Sequence, residues 1–179
     1  MPSCTLFDTA IGRCGLIWND RGLAGVQLPE GEEAATRARM GRRWPGVAPA
    51  HPPVELLAAI RDITALLAGE QCDLRGIVLD ETGVPPFHRR VYGIARAIPP
   101  GSTLTYGEIA TRLGDPGSAR AVGQALGQNP WPLVVPCHRV LAAGGKLGGF
   151  SAVGGAEFKR RLLLIEGAPL AAELSLFDD

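Results

Sequence analysis

Short apolar runs broken by turn residues fill the first thirty positions. Thr5–Ile11, Gly15–Trp18 and Leu23–Leu28 are separated by Gly12-Arg13 and by Asn19-Asp20-Arg21-Gly22, a pattern that predicts an antiparallel β-meander. Glu30–Arg43 is rich in charge and reads as an exposed helix ended by Trp44-Pro45-Gly46. From Val54 to Ala68 the apolar positions take the helical period, with Leu57, Ile60, Ile63, Thr64 and Leu67 on one face. Leu74–Leu79 reads as a returning strand.

At DETGVPPF, Asp80–Phe87, the texture changes from strands to short helices. Glycine, two prolines and a change of charge mark a boundary there. The division expected is a first domain over 1–80, a linker over 81–86, a second domain over 87–167 and an acidic tail over 168–179. In the second domain Phe87–Ile98 places Val91, Ile94, Ala95 and Ile98 on one face and stops at Pro99-Pro100-Gly101. Thr105 followed by Glu108 fits a capping box, which predicts a helix to about Leu113. After the turn Gly114-Asp115-Pro116-Gly117, Ser118–Gly127 forms a second short helix, and the pair suggests a helix-turn-helix. That second helix is almost all small residues with one long cation, Arg120. Small side chains serve close approach to a partner and tight helix packing equally well.

Composition narrows the class. Hydrophobic residues make up 46% and charged residues 20%, which is globular and ordered. No apolar run approaches the roughly 18 residues needed to span a bilayer, and MPSCTLFDTAIGR lacks the features of a signal peptide. Cys4, Cys14, Cys72 and Cys137 show no close pairing, so a reducing cytoplasm is the compartment expected. A net charge of zero hides an asymmetry: Pro86–Gly167 carries 10 basic and 4 acidic residues, whereas Met1–Pro85 carries 8 and 11. The end of the chain adds Glu173, Asp178 and Asp179 with no basic residue. A basic segment in a neutral chain is a candidate footprint for a polyanion.

The chemistry concentrates in NPWPLVVPCHRV, Asn129–Val140. Its prolines exclude a helix and predict an extended segment. Neighbouring side chains of an extended chain point to opposite faces, so Cys137 and His138 are not expected to touch, and proton transfer between them needs a bridging water. A thiol becomes a nucleophile as its thiolate, and a histidine base is oriented by a third group, most naturally a carboxylate. Of the four acids in the basic segment, Glu108 caps a helix, Asp115 lies in a turn and Glu157 opens the last helix, which leaves Glu166. Read from residues alone, Cys137 is either a buried structural cysteine or a nucleophile.

RAVGQALGQNPWPLVVPCHRVLAAGGKLGGFSAVGG, followed by FKRRLLLIEG and preceded by PPGSTLTYGEIA, resembles the methylated-DNA–protein-cysteine S-methyltransferases, the O6-alkylguanine-DNA alkyltransferases. The resemblance covers about Phe87–Gly167. It implies an α+β fold of two domains: an N-terminal antiparallel β-meander with helices, RNase H-like, and a C-terminal helical, winged helix-turn-helix-like domain. It also implies direct repair of double-stranded DNA by stoichiometric, irreversible transfer of the alkyl group from guanine O6, with O4-methylthymine a second candidate substrate. By motif, Cys137 resembles the alkyl acceptor, His138 the base acting through water, Glu166 the carboxylate holding that histidine, and Asn129 the brace of the turn. Tyr106 is similar to the family's hydroxyl at guanine N3, and Arg120 to the arginine that fills the stack when the base flips out. The Val140 carbonyl and the Ser151 amide correspond to groups that read the base edge. The family docks its small-residue helix in the minor groove, which assigns Thr105, Ser118, Ala119, Ala121 and Gly123 to the DNA surface.

No cofactor and no metal are expected. A structural zinc known in the family uses N-terminal cysteine and histidine ligands, and Cys4 and Cys14 lack a pair of histidines here. Phe150 stands where many members have tyrosine, and the GGFSAVGG loop is longer than the common form. A monomer with no membrane association is expected. Two other readings compete with alkyl transfer. A cysteine hydrolase requires an oxyanion hole that nothing in the sequence marks. A non-catalytic lesion binder of the alkyltransferase-like type replaces the cysteine that Cys137 retains.

Overall fold

The first returning strands begin on glycine, and the meander closes on two-residue turns. A computed structural model describes residues 1–170 of the chain. β1 (Ser3–Thr9) and β2 (Gly12–Asn19) pair antiparallel, from Ser3 opposite Trp18 to Thr9 opposite Gly12. β3 (Gly22–Gln27) pairs antiparallel with β2, with a register shift between Ile17 and Trp18. Helix α1 (Glu33–Arg43) packs on β2, the short β4 (Ala48–Pro49) runs parallel to β1, and α2 (Val54–Leu67) packs against β1. The sheet order is β3-β2-β1-β4. Two strand glycines admit the covering layer: a Cβ at Gly25 would lie 2.0 Å from Trp44 Cζ2, and one at Gly15 would lie 2.6 Å from the Met40 sulfur.

Several local expectations change. α1 begins at Glu33 rather than Glu30, because Gly31 turns through φ +89° and the Glu30 amide donates to Thr36 Oγ1 at 3.0 Å. α2 buries Leu56, Ala59, Ile63, Leu66 and Leu67, while Leu57 stays exposed. The helix is apolar on two adjacent stripes, and the sequence alone does not say which one faces the sheet. Leu74–Leu79 is not a strand. Asp73 Oδ1 accepts the Arg75 amide at 2.8 Å and the Leu74 carbonyl accepts the Ile77 amide at 3.2 Å. These turns curl the segment, leaving one parallel bridge between Leu23 and Leu79.

The chain divides into two compact units, Met1–Gly83 with Pro130–Val134, and Val84–Asn129 with the residues from Val135 onward. Positions 130–134 fall within the second domain expected from the sequence over 87–167, whereas they pack with the first unit. Hydrogen bonds explain the difference: the Val26 amide donates to the Pro130 carbonyl at 2.9 Å, and the Trp131 indole donates to the Leu23 carbonyl at 2.7 Å. The segment thereby extends the β3 edge.

The second unit begins with α3 (Pro86–Arg96), whose proline sits in the first turn, where no amide donor is needed. Its Tyr92 hydroxyl donates to the Ala125 carbonyl at 2.7 Å. β5 (Leu104–Thr105) leads into α4 (Tyr106–Arg112), and the capping box is present in both directions between Thr105 and Glu108. A 3-10 turn over Pro116–Ser118 precedes α5 (Ala119–Gly127), which packs on both α4 and α3. β6 (Val140–Leu141) pairs parallel with β5, and α6 (Gly155–Ile165) follows. Among the described residues no helix is long and apolar enough to cross a membrane. The tail acids Glu173, Asp178 and Asp179 lie outside the described residues.

Candidate active site

Pro136 feeds a 3-10 turn over Cys137–Arg139, so PCHR is bent where the prolines predicted extended chain. Proline lacks an amide hydrogen and fixes φ, and both suit the entry to such a turn as well as an extended segment. The consequence for Cys137 and His138 nevertheless stands. Successive side chains on a 3-10 turn diverge by about a third of a turn. Cys137 is partly exposed, His138 is only 1% exposed, and no hydrogen bond between their side chains is found among the described residues.

Burial pushes the Cys137 thiol up from its ordinary value, opposed by the Asn129 side-chain hydrogen bond, the Lys159 charge and the amides of Cys137 and His138. Asn129 is itself buried and holds the Val135 carbonyl from Nδ2 at 2.8 Å, so one side chain braces the turn and touches the sulfur.

Behind the turn lies a buried charged network. Glu166 Oε1 meets His138 Nε2 at 2.8 Å. Arg139 grips the same carboxylate from Nε at 2.9 Å and Nη2 at 2.8 Å, and its Nη1 donates to the Ile98 carbonyl at 2.6 Å. Burial pushes the Glu166 carboxyl up, but the hydrogen bonds from His138 and Arg139 outweigh it and hold it at about 2. An ionised carboxylate only accepts, so Nε2 carries the imidazole hydrogen and Nδ1 presents a lone pair. Nδ1 is buried with no partner among the described residues. Burial keeps His138 neutral against the pull of Glu166, with its pKa below the ordinary value. A neutral imidazole with a free Nδ1 is the form that takes a proton.

On its other side Cys137 opens into a pocket of about 560 Å³ lined by Tyr106, Ala119, Arg120, Gly123, Phe150 and Ser151, among others. Arg120 is exposed and has no hydrogen bond or ion pair among the described residues. Tyr106 is half-buried, and burial followed by the Cys137 charge pushes its phenol up. Phe150 stacks on Phe158 of α6 with centroids 6.1 Å apart, which ties the pocket loop to that helix.

Other expected residues lie outside the lining. Val140 is fully buried, and its carbonyl already accepts from Lys159 Nζ at 2.6 Å. Thr105 is occupied in the capping box, the Ser118 hydroxyl donates to the Asp115 carbonyl at 2.7 Å, and Ala121 does not line the pocket. Cys4 and Cys14 are buried in the first unit, and no cluster of three or more His, Cys, Asp or Glu side chains able to hold a metal is found among the described residues.

Arg139 and Lys159 join the site without standing among the residues expected from the sequence. Arg139 had a signal, since it adjoins the histidine and the basic segment holds few acids for it to meet. Lys159 had a clearer one: Lys159, Leu162, Leu163 and Glu166 recur at helical spacing, which puts a lysine and a glutamate on an inward stripe.

Residues 86–168 match the family described as 6-O-methylguanine DNA methyltransferase, DNA binding domain. The methylated-DNA–protein-cysteine methyltransferase of Methanothermobacter thermautotrophicus is 37% identical over 159 residues, covering 89% of this chain and 82% of its own. The chain belongs to the methylated-DNA–protein-cysteine methyltransferase family. Its enzyme class is that of the family. A crystal structure of Mycobacterium tuberculosis OGT in complex with DNA is 36% identical with a TM-score of 0.74, covering 98% of this chain and 99% of that one. The O6-methylguanine-DNA methyltransferase of Pyrococcus kodakaraensis is 29% identical with a TM-score of 0.69, covering 94% and 100%. The α+β class expected from the sequence, with an N-terminal sheet and a helical C-terminal part, is the one these methyltransferases share.

Proposed function

We propose that this methyltransferase repairs duplex DNA directly, moving the alkyl group from O6 of a flipped guanine to Cys137 in one irreversible step. The observation that carries the reading is the position of Cys137 between a pocket bearing Tyr106 and Arg120 and a buried His138–Glu166–Arg139 network. An O6 substituent is out of reach inside a duplex, so the base leaves the stack at a cost of a few kcal/mol. Arg120, unpartnered and exposed, fills the space left behind, and Tyr106 meets the base in the pocket. We assign Thr105, Ser118, Ala119, Ala121 and Gly123 to the groove, a reading supported by their positions at the caps of α4 and α5 and along α5.

In the reaction the thiol proton passes through one water to His138 Nδ1. The thiolate attacks the alkyl carbon, a carbon–sulfur bond forms, and the O6–carbon bond breaks with its electron pair on guanine. The guanine anion takes up a proton in balance with the one removed from sulfur. The resulting thioether has no hydrogen to ionise and no good leaving group, so the thiol is not regenerated. The second compact unit does this work as a monomer on double-stranded DNA carrying O6-alkylguanine, in a reducing compartment such as the cytoplasm.

Titrating excess duplex carrying one O6-methylguanine against the protein tests the proposal. Repair should stop at one methyl per chain, all of it on the peptide containing Cys137, and Cys137→Ser should bind the duplex without accepting the methyl. Repair beyond one equivalent, or a methyl on Cys4, Cys14 or Cys72, overturns it.

A further inference from the structure

The first unit holds a separate cavity of about 660 Å³, lined by the first turns of α2, the β2–β3 turn and the curled segment 73–78. That volume is typical of sites that take a ligand. Its walls are fixed within the unit. The Leu23 amide donates to the Val78 carbonyl and the Asp80 amide to the Leu23 carbonyl, each at 2.9 Å, so the curl is pinned to β3. Much of the lining is apolar, through Trp18, Leu56, Ala59, Ile77 and Val78, and Val78 stands 69% exposed.

Two kinds of polar group in this lining lack a partner. Trp18 is only 8% exposed, and its indole N–H has no acceptor among the described residues, although a buried indole N–H ordinarily finds one. It is not among the fully enclosed polar atoms either, so it is open to what enters the cavity. Four carboxylates from three elements join it: Asp20 on the turn, Glu55 and Asp62 on α2, and Asp73 on the curl. Asp62 and Asp73 pair with Arg61 and Arg75, which stand outside the lining, and exposed pairs of this kind are worth little. Glu55 has no ion pair among the described residues. The Arg21 guanidinium, also in the lining, is committed to Asp80 through Nε at 3.0 Å and Nη2 at 3.1 Å and reaches Asp20 only at 4.0 Å.

We propose that this cavity docks an extended basic segment of a partner protein, anchored by one apolar side chain. Each part of that occupant answers a group in the lining. A backbone carbonyl accepts the Trp18 N–H, the apolar side chain covers Ile77 and Val78, and lysine or arginine side chains meet the carboxylates. Glu55 and Asp62 stand two helical turns apart on α2, about 10 Å along its axis. An extended peptide covers about 13 Å from its first residue to its fifth, with alternate side chains on one face. Two flexible cations flanking an apolar residue therefore span that separation. Nucleic acid is the wrong partner, because its phosphates would face four carboxylates. The end of the chain itself, with Glu173, Asp178 and Asp179 and no basic residue, has the wrong charge as well. A polyamine would meet the carboxylates but brings no acceptor for the indole N–H.

Nuclear magnetic resonance of the indole N–H groups reads the site directly, since the chain has three tryptophans. The probe is a blocked pentapeptide with lysine at both ends, leucine at the centre and serine between them. It is titrated to about 5 mM into the full chain, with an expected dissociation constant of about 0.1–1 mM. The Trp18 indole proton, assigned by triple-resonance spectra, should move downfield and saturate as it gains an acceptor. Trp131, whose indole already donates to the Leu23 carbonyl, and Trp44, which is outside the lining, should not move. Glu55→Gln combined with Asp62→Asn should weaken binding about tenfold or more, while methyl transfer from duplex stays at the wild-type rate. Glutamate in place of both lysines, or serine in place of the leucine, should abolish the shift. An unmoved Trp18 resonance, unchanged affinity in the double variant, or an equal shift from the glutamate peptide overturns the proposal. So does a saturating shift from spermidine at the same concentrations, which makes the occupant a small polycation. A Trp18 shift that grows with protein concentration alone makes the occupant a second copy of the chain and overturns it too.

Discussion

Arg139 and Glu166 meet edge to edge inside the protein, Nε to Oε2 at 2.9 Å and Nη2 to Oε1 at 2.8 Å, and the same Oε1 holds His138 Nε2. The carboxylate that orients the base is therefore itself oriented by a fork of fixed geometry. Removing one member of a buried pair strands the other charge away from water. Arg139→Ala should destabilise the protein by about 3 kcal/mol or more. In a chain of this size that lowers the melting temperature by roughly 6 °C or more. A loss under about 1 kcal/mol in thermal unfolding would show that water reaches Glu166, as it does at surface pairs.

The same network sets the acid limit of stability. Glu166 and His138 both have folded pKa values below their unfolded ones. Such groups contribute fully above the unfolded value, and the contribution disappears as pH falls through the folded value. For His138 the loss begins below about 6.5, and for Glu166 below about 4.3. The Glu166 contribution is exhausted near its folded value of about 2. Glu166→Gln should be less stable than wild type at pH 7, with the gap closing between pH 5 and 2 in denaturant midpoints. The variant should also transfer methyl groups slowly at neutral pH, with a defect that shrinks in alkali, where solvent ionises the thiol unaided. A pH-independent gap in stability removes Glu166 from the buried pair.

Much of this was legible because local chemistry dictated it. Thr105 and Glu108 announced their capping box through a spacing of three, and the meander announced itself through short apolar runs between glycine-rich turns. The bend at Cys137 was not legible, since Pro136 is compatible with either an extended segment or the entry to a 3-10 turn. Residues 130–134 follow α5 directly in sequence, but hydrogen bonds to Leu23 and Val26, more than a hundred positions earlier, draw them into the first unit. Such long-range pairing leaves no mark in local pattern. Arg139 could be seen as a cation beside a histidine, but its grip on Glu166 depends on how α6 returns to the turn.

The first unit offers a matched pair of glycines. A methyl group at Gly25 would run into the Trp44 ring, whereas at Gly41, within α1, it would meet nothing within 4 Å. Gly25→Ala should destabilise by about 1–3 kcal/mol through overpacking. Gly41→Ala should stabilise by about 0.5–1 kcal/mol by removing backbone freedom from the unfolded chain. Denaturant unfolding of the two variants should move in opposite directions, and a shared direction would contradict the packing of Trp44 on β3.

Arg120 separates flipping from chemistry. It lines the Cys137 pocket from α5, is exposed, and has no protein partner among the described residues, so truncation leaves no buried group unsatisfied. Arg120→Ala should therefore fold with wild-type stability. If its guanidinium occupies the gap left by an extruded base, the variant loses stabilisation only when a duplex is opened. Reaction with duplex O6-methylguanine should slow by tenfold or more, since a few kcal/mol of unstacking are no longer offset. Reaction with free O6-benzylguanine, which needs no flipping, should stay within about threefold of wild type, a difference of less than 1 kcal/mol. Equal losses on both substrates would place Arg120 in the pocket chemistry and not in the DNA stack.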